Sequence, residues 1–299
     1  METTDLKGED MDTFKIDMDE RSQVLIQAIP YIQKFAGQTI VIKYGGNAMI
    51  DEDLMEAVIE DMVLLQLVGI NIILVHGGGP FIAETLERIG KKSEFIEGLR
   101  VTDQETMDVV QMVLAGKINK RLVQYIEQIG GKALGLCGLD GNMLVAEKLQ
   151  SDPDIGYVGK ITEVHNNLLL DNIDKGYICV IATIANGTDK NVVYNINADI
   201  AAAEIAQSLN AVKLILMTDV LGVMEDPKDP STLYNQIDIA DIPKLKEEGI
   251  ITGGMIPKLD CCVSAIENGV LNAHIIDGTK KHSILIELLT DTGIGTMIY

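Results

Sequence analysis

Long apolar runs are what this chain lacks most plainly. Nowhere do about 18 apolar residues follow one another without interruption, so no membrane-spanning helix is expected. The stretch METTDLKGEDMDTFKIDMDERSQ is acidic and has no apolar centre, which excludes reading it as a signal peptide. Basic residues are scarce, 24 against 45 acidic ones, giving a formal net charge of −21. A surface of that sign repels phosphate backbones, so nucleic acid is not an expected partner. An anionic ligand would instead need a local cluster of Lys, Arg and backbone N–H groups. The four cysteines, Cys137, Cys179, Cys261 and Cys262, form no CxxC pair and have no His at metal-ligand spacing. Buried free thiols in a reducing cytoplasm are the expectation. Two phosphate-binding signatures are also missing: no GxxxxGK[ST] occurs, and no GxGxxG follows a strand. Walker-type ATPases and dinucleotide oxidoreductases therefore lose ground.

What is present fits a globular enzyme. At 299 residues, 47% hydrophobic with 28 glycines, the chain can build one large α/β domain or two lobes. Five short β-branched runs read as buried strands: 39–44, 71–76, 177–183, 212–218 and 273–278. Amphipathic helical stretches such as 51–69 and 198–210 lie between them, which implies a mainly parallel sheet with helices on both faces. Residues 143–166 look like a hairpin. Ahead of the first strand, residues 22–37 repeat apolar side chains at helical spacing. Ser22 is a candidate N-cap and Gly37 a candidate stop, while Pro30 predicts a kink or two short helices. The first ~20 residues read as a frayed acidic leader.

In a parallel sheet, ligands sit beyond the carboxyl ends of the strands, where helix N-termini present unpaired N–H groups. Two glycine clusters fall at such ends: Lys43-Tyr44-Gly45-Gly46-Asn47 and His76-Gly77-Gly78-Gly79-Pro80. Glycine lets the backbone approach an anion closely, and successive N–H groups can form an anion nest. The plain alternative is two tight β-to-α turns. Lys43, ending an apolar strand, would be poorly solvated without an anion to meet it; a frayed strand end is the alternative. Lys258 opens a helix after GGMIP, where the helix dipole disfavours a cation unless phosphate is bound. Asn197 and Asp199 precede and open an Ala-rich helix, which N-capping alone would explain. MTDVLGV, residues 217–223, is either a plain turn or a ligand border.

In order along the chain, KYGGNAM, LVHGGGP, GLRVTD, NINAD, LMTDVLGV and GGMIPK resemble the amino acid kinase family. The likeness runs from Lys43 to the C-terminus and is nearest to the arginine-sensitive members that phosphorylate N-acetyl-L-glutamate. It implies an open three-layer αβα sandwich with a mainly parallel central sheet. It also implies a lobe for the acylamino acid (38–187), a lobe for ATP (188–299) and an N-terminal segment (1–37) for oligomerisation and regulation. By the same resemblance, Lys43 and Lys258 neutralise the transferring phosphoryl group and Asp199 holds both lysines. Gly45, Gly46 and Gly77 supply N–H groups to the phosphates, while Gly78 and Gly79 meet the acceptor. Arg100 grips its α-carboxylate, Asn195 contacts the acetylated substrate, and Thr218 and Asp219 border the nucleotide. Magnesium would arrive with ATP, with no dedicated protein metal site. Segment 22–37 resembles the helix that interlaces dimers into a hexamer, a trimer of dimers. Glu287, Gly293 and Gly295 resemble an L-arginine effector site, to which Tyr31, Lys213 and His274 are added. For Tyr31 and His274, helix packing and a satisfied strand histidine remain the alternatives. Other acceptors of the family (aspartate, glutamate, carbamate, an aminoadipate derivative) and an arginine sensor without catalysis stay open. GLRVTD and the lack of a C-terminal regulatory domain argue against an aspartate kinase.

Overall fold

A computed structural model describes residues 18–299, without the side chains of 18–21 and Asn47; the expected leader before residue 18 lies outside the described residues. Among the described residues, fourteen strands form three sheets. The largest has the order β12 (Gln236–Ile237), β14 (Thr296–Ile298), β13 (Asn272–Asp277), β11 (Lys213–Thr218), β1 (Thr39–Tyr44), β2 (Asn71–His76), β8 (Ile178–Ala182) and β5 (Ala133–Cys137). Every neighbouring pair in it is parallel except β13 with β14. The second sheet runs β10 (Val193–Asn195), β9 (Ile184–Gly187), β6 (Leu144–Lys148) and β7 (Gly159–Val164). Its β6–β7 pair is the hairpin expected over 143–166. The third is the short ribbon β3 (Phe95–Ile96) with β4 (Leu99–Arg100).

Helices cover both faces of the large sheet, and each face has its own core. On one face lie α1 (Met18–Phe35), α2 (Glu52–Leu67), α3 (Gly79–Arg88), α4 (Gln104–Gln111), α5 (Asn119–Gln128) and α10 (Ser283–Leu289). On the other lie α6 (Asn167–Ile173), α7 (Ala198–Ser208), α8 (Ile242–Glu247) and α9 (Met255–Glu267). Alternation along a strand sends successive side chains to opposite cores. In β1, Ile40, Ile42 and Tyr44 face the first core and Val41 the second. Lys43 shares the parity of Val41 and so points toward α7 and α9. In β11, Ile215 and Met217 face the first core, which puts Lys213 there too. The mainly parallel sheet with helices on both faces, expected from the alternating pattern, is thus observed, as is the α/β sandwich that the resemblance implies.

Strand order explains where a ligand can enter. The chain moves outward from β1 through β2 to β5 on one side, then returns to build β11 and β13 on the other. The crossover helices lie on opposite faces, so the carboxyl ends of β1 and its two neighbours flank a crevice. The turn at 187–191, where a lobe boundary is expected, joins β9 to β10, while β1 and β11 pair directly across the sheet.

The N-terminal helix differs from its sequence reading. It is already helical at Met18, so Ser22 lies inside it and is not its N-cap. It also runs unbroken through Pro30. Proline removes one N–H bond and crowds the preceding turn, but Tyr31 and buried Phe35 pack on the first core just beyond it and hold the last turn in line. Gly37 has φ 74°, the left-handed conformation expected of a stop residue.

Candidate active site

One carboxylate links two clefts through the lysines that line them. Asp199 stands in the first turn of α7, whose start is fixed by Asn197: its Oδ1 accepts the N–H groups of Asp199 (2.9 Å) and Ile200 (3.2 Å). Nζ of Lys43 lies 2.9 Å from Asp199 Oδ1 as a charge contact without hydrogen-bond alignment, and Lys258 donates a 2.7 Å bond to Oδ2. Four buried alanines of α7 (Ala201, Ala202, Ala203, Ala206) let α9 pack closely, which brings Lys258 within reach. Burial by itself would raise the Asp199 pKa. The two ammonium groups outweigh that and hold it below the usual carboxylate range. The cluster carries more positive than negative charge, an arrangement that is costly to bury unless an anion joins it.

The first cleft, about 230 Å³, is lined by Lys43, Gly45, Gly46, Gly77, Gly78, Gly79, Arg100 and Asn195. It therefore gathers every residue expected at the acceptor and three expected at phosphate. Arg100 is buried, donates to Gly79 O at 2.9 Å and to Ser93 Oγ, and lies 4.6 Å from the centre of the Phe95 ring. Burial lowers its pKa. Asn195 donates a long 3.4 Å bond to Thr102 Oγ1. Gly77 N–H bonds Tyr44 O at 3.0 Å, tying the two glycine clusters together. A side chain at Gly78 would put its Cβ 2.3 Å from Ile118 Cδ1 and 2.6 Å from Leu114 Cδ2, so both side chains of the helix behind it would have to move.

The second cleft, about 310 Å³, is lined by Thr218, Asp219, Val220, Val223, Met224, Ile250, Thr252, Met255 and Lys258. A mostly apolar lining with a few polar side chains suits a flat, polar-edged ring. A wider opening of about 570 Å³ between α7, α9 and the β3–β4 ribbon also reaches Asp199 and Lys258. Sequence reading missed Phe95, Ser93 and Thr183 at the first cleft. Only Phe95 carried a signal, being an aromatic ring five residues before the arginine.

A third pocket, about 220 Å³, lies on the opposite face of the sheet and near the amino ends of its strands. It holds all six residues named for an effector except that Gly293 and Gly295 contribute backbone. Glu287 Oε1 accepts from His274 Nδ1 at 2.6 Å, and Oε2 accepts the N–H groups of Ile294 (2.7 Å) and Gly295 (3.1 Å). Lys213 Nζ lies 2.6 Å from His274 Nε2 and 3.0 Å from Asn272 Oδ1. Burial lowers the Lys213 pKa to about 8 against the raising effect of Glu287, and burial likewise lowers that of His274. Burial would raise Glu287, but His274 and the two N–H groups bring it below the usual range. Tyr31 of α1 donates to Asp291 Oδ1, closing the rim. Lys34 and Asp291 line this pocket without having been picked out from sequence.

The sequence profile of the amino acid kinase family matches residues 38–277. The acetylglutamate kinase of Clostridium beijerinckii is 59% identical over 280 residues, covering 94% of this chain and 98% of that protein. Among solved structures, N-acetylglutamate synthase from Neisseria gonorrhoeae, complexed with coenzyme A and L-arginine, superposes with a TM-score of 0.77 at 25% identity. That match covers 93% of this chain and 65% of the other. Carbamate kinase from Giardia lamblia bound to AMP-PNP superposes with a TM-score of 0.62 at 17% identity, covering 88% and 98%, and shares the fold.

Proposed function

The chain belongs to the amino acid kinase family, and on that premise we propose that it transfers the γ-phosphoryl group of ATP to the side-chain carboxylate of N-acetyl-L-glutamate, a step of arginine biosynthesis. It is a phosphotransferase with a carboxyl acceptor. The observation that carries this reading is Asp199 strapped between Lys43, which lines the first cleft, and Lys258, which lines the second. Joining a phosphate to a carboxylate brings two anions together, so positioning and charge neutralisation do most of the catalytic work.

The acceptor occupies the glycine-lined cleft, its α-carboxylate on the Arg100 fork and its acetylated nitrogen side near Asn195. The nucleotide occupies the Thr218–Met255 cleft, bordered by Asp219. Lys43 reaches the transferring phosphoryl group from the acceptor side and Lys258 from the nucleotide side, while Asp199 fixes both. N–H groups of Gly45, Gly46 and Gly77 meet phosphate oxygens, and those of Gly78 and Gly79 meet the reacting carboxylate. A carboxylate oxygen bonds to the γ-phosphorus as the bond to the β–γ bridging oxygen breaks. ADP leaves with that electron pair. The acceptor is already ionised, so no general base and no phosphoenzyme are required. Magnesium arriving with ATP would supply neutralisation of phosphate charge; among the described residues no cluster of three His, Cys, Asp or Glu side chains is placed to hold a metal. The acceptor cleft is thus built mostly from residues 38–187, with Asn195 added from the second lobe, and the nucleotide cleft from 188–299.

A regulatory reading rests on the third pocket. L-Arginine is the proposed effector, its guanidinium on Glu287, whose two oxygens still have lone pairs to offer. In α1, Val24, Leu25, Ile26 and Ile29 are exposed, Leu25 at 73%. We assign that apolar stripe to a second copy, within a hexamer that α1 interlaces. Light scattering near about six times the chain mass, falling when residues 1–36 are removed, is the expected result. A truncated chain of unchanged mass would remove the assignment.

ADP release from purified protein with magnesium, ATP and N-acetyl-L-glutamate, with and without millimolar L-arginine, tests the whole reading. Turnover suppressed by arginine supports both parts. Turnover indifferent to arginine leaves the kinase and discards the effector. Activity only with glutamate, aspartate, carbamate or an aminoadipate derivative moves the acceptor elsewhere. Silence with every acceptor favours a sensor without catalysis.

A further inference from the structure

Beneath the Gly77–Gly79 loop, on the side away from the ligand cleft, lies a buried polar network that the proposed reaction does not use. His76 ends β2 and is completely buried. Its Nδ1 lies 2.9 Å from Gly77 O, and its Nε2 lies 3.2 Å from Asn119 Nδ2. A carbonyl can only accept, so Nδ1 carries the proton. Burial, aided by Lys120, pushes the ring's pKa down to about 4, against the raising effect of its bond to Gly77. The ring is therefore neutral near pH 7, and Nε2 accepts from Asn119. Asn119 is itself pinned, because Nδ2 also faces Leu136 O (3.1 Å) and Val180 O (2.9 Å), and Oδ1 accepts from Lys120 at 3.0 Å. Room for it comes from Gly135, where a Cβ would lie 2.1 Å from Asn119 Oδ1.

Two features show that this network is aimed at the loop. The helix carrying Asn119 is widened into a π-helical turn over Met112–Ile118, and π turns recur at functional sites. The same turn supplies Leu114 and Ile118, which close around Gly78. Moreover, C=O and N–H of one planar peptide point in opposite directions. Anchoring Gly77 O toward His76 must turn the Gly78 N–H the other way. Among the described residues that N–H has no protein acceptor, and Gly78 lines the acceptor cleft.

We propose that His76 is a positioning residue for phosphoryl transfer: as its Nδ1–H tautomer, locked by Asn119, it fixes the Gly77–Gly78 peptide so that the Gly78 N–H is aimed at the negative charge of the reacting carboxylate and phosphoryl group. This rests on the acceptor and cleft assigned above. A donor that holds the ionised carboxylate in line with the phosphorus acts on kcat more than on KM. Loss of its anchor releases the peptide plane without removing the N–H.

The test uses the full chain with MgATP and N-acetyl-L-glutamate and compares His76→Leu, His76→Asn and His76→Gln. Asparagine can place an amide N–H near the Nδ1 position, whereas glutamine places its amide nearer Nε2. His76→Leu is expected to lose roughly 10- to 100-fold in kcat with KM changed less than about threefold. His76→Asn should recover most of that loss, and His76→Gln should not. A folded His76→Leu variant with kcat within twofold of wild type overturns the proposal. So does an equal loss in the Leu and Asn variants, which would mean a packing role. If His76→Leu does not fold, the Asn and Gln variants decide alone: equal kcat in those two overturns it. Wild-type protein silent with this acceptor is a failure of the proposed function instead. In that case the inference stands or falls on whether the Asn and Gln variants differ with whichever acceptor is used.

Discussion

The molecule buries two clusters in which a carboxylate is surrounded by cationic side chains, and they lie on opposite faces and toward opposite ends of one sheet. Lys43–Asp199–Lys258 sits at the carboxyl end, under the first turns of α7 and α9. Lys213–His274–Glu287 sits nearer the amino end, under α1 and α10. In the first, one carboxylate faces two full positive charges, and the glycine loops around it add N–H groups but no further anion. In the second, one carboxylate faces one lysine and a histidine whose charged form burial disfavours, and two backbone N–H groups complete its shell. An unbalanced buried cluster waits for a partner of opposite sign, whereas a balanced one holds the fold and admits only a ligand that repeats its own pairing. Both are built from similar residues; what separates them is their charge balance.

The strongest break in this comparison is expected from Lys43→Ala or Lys258→Ala, each losing about 10²- to 10³-fold in kcat, while Glu287→Ala stays within about twofold. Initial-rate assays of all three decide it; lysine variants as fast as wild type would erase the contrast. Next comes Asp199→Asn. It keeps the shape but releases both lysines; a loss of about 10- to 100-fold in kcat is expected, with a lower melting temperature because two buried ammonium groups lose their counter-charge. No loss would mean that the lysines are positioned without it.

The third prediction concerns pH. The folded-state pKa of Lys213 is about 8, below the ordinary lysine value of 10.5. Below pH 8 the folded chain must keep a charge that burial penalises, and this penalty fades as pH rises from 8 to 10.5. Relative to Lys213→Met, wild type should therefore gain on the order of 2 kcal/mol across that window. Denaturant unfolding at both ends of it measures the difference, and parallel curves would show that the lysine is solvated. The smallest effect is expected from Glu287→Gln. It should cost about 1 kcal/mol of stability, through weaker bonds to His274, Ile294 and Gly295, and remove any arginine response at unchanged basal turnover. An arginine response that survives would place the effector elsewhere.

Much of this contrast was legible in the residues, and the reasons are local. β-branched runs marked the central strands because a parallel sheet buries both faces. Lys43 stood out because it broke such a run at its end, and strand parity alone sends it toward α7. Glycine clusters at two strand ends marked the crevice. What could not be read depends on distant pairing. Nothing near His76 in sequence announces Asn119, 43 residues later, and nothing in MVLAGKI announces a π turn. Ser22 looked like a cap because it precedes the apolar pattern, yet the helix extends further toward the N-terminus. Pro30 promised a break that packing of Tyr31 and Phe35 prevents.

The widened turn at Met112–Ile118 can also be seen as an insertion within a helix. A π turn accommodates one residue more than an α turn of similar height, so everything after it is rotated relative to the helix before it. Deleting a single residue there would leave the helix nearly as long but swing each later side chain through about 100°. Asn119 would leave His76, and a neighbour would take its place. The order of residues along α5 is thereby bound to the atoms under the glycine loop, so that a change in length, with no change in composition, would misregister the floor of the cleft.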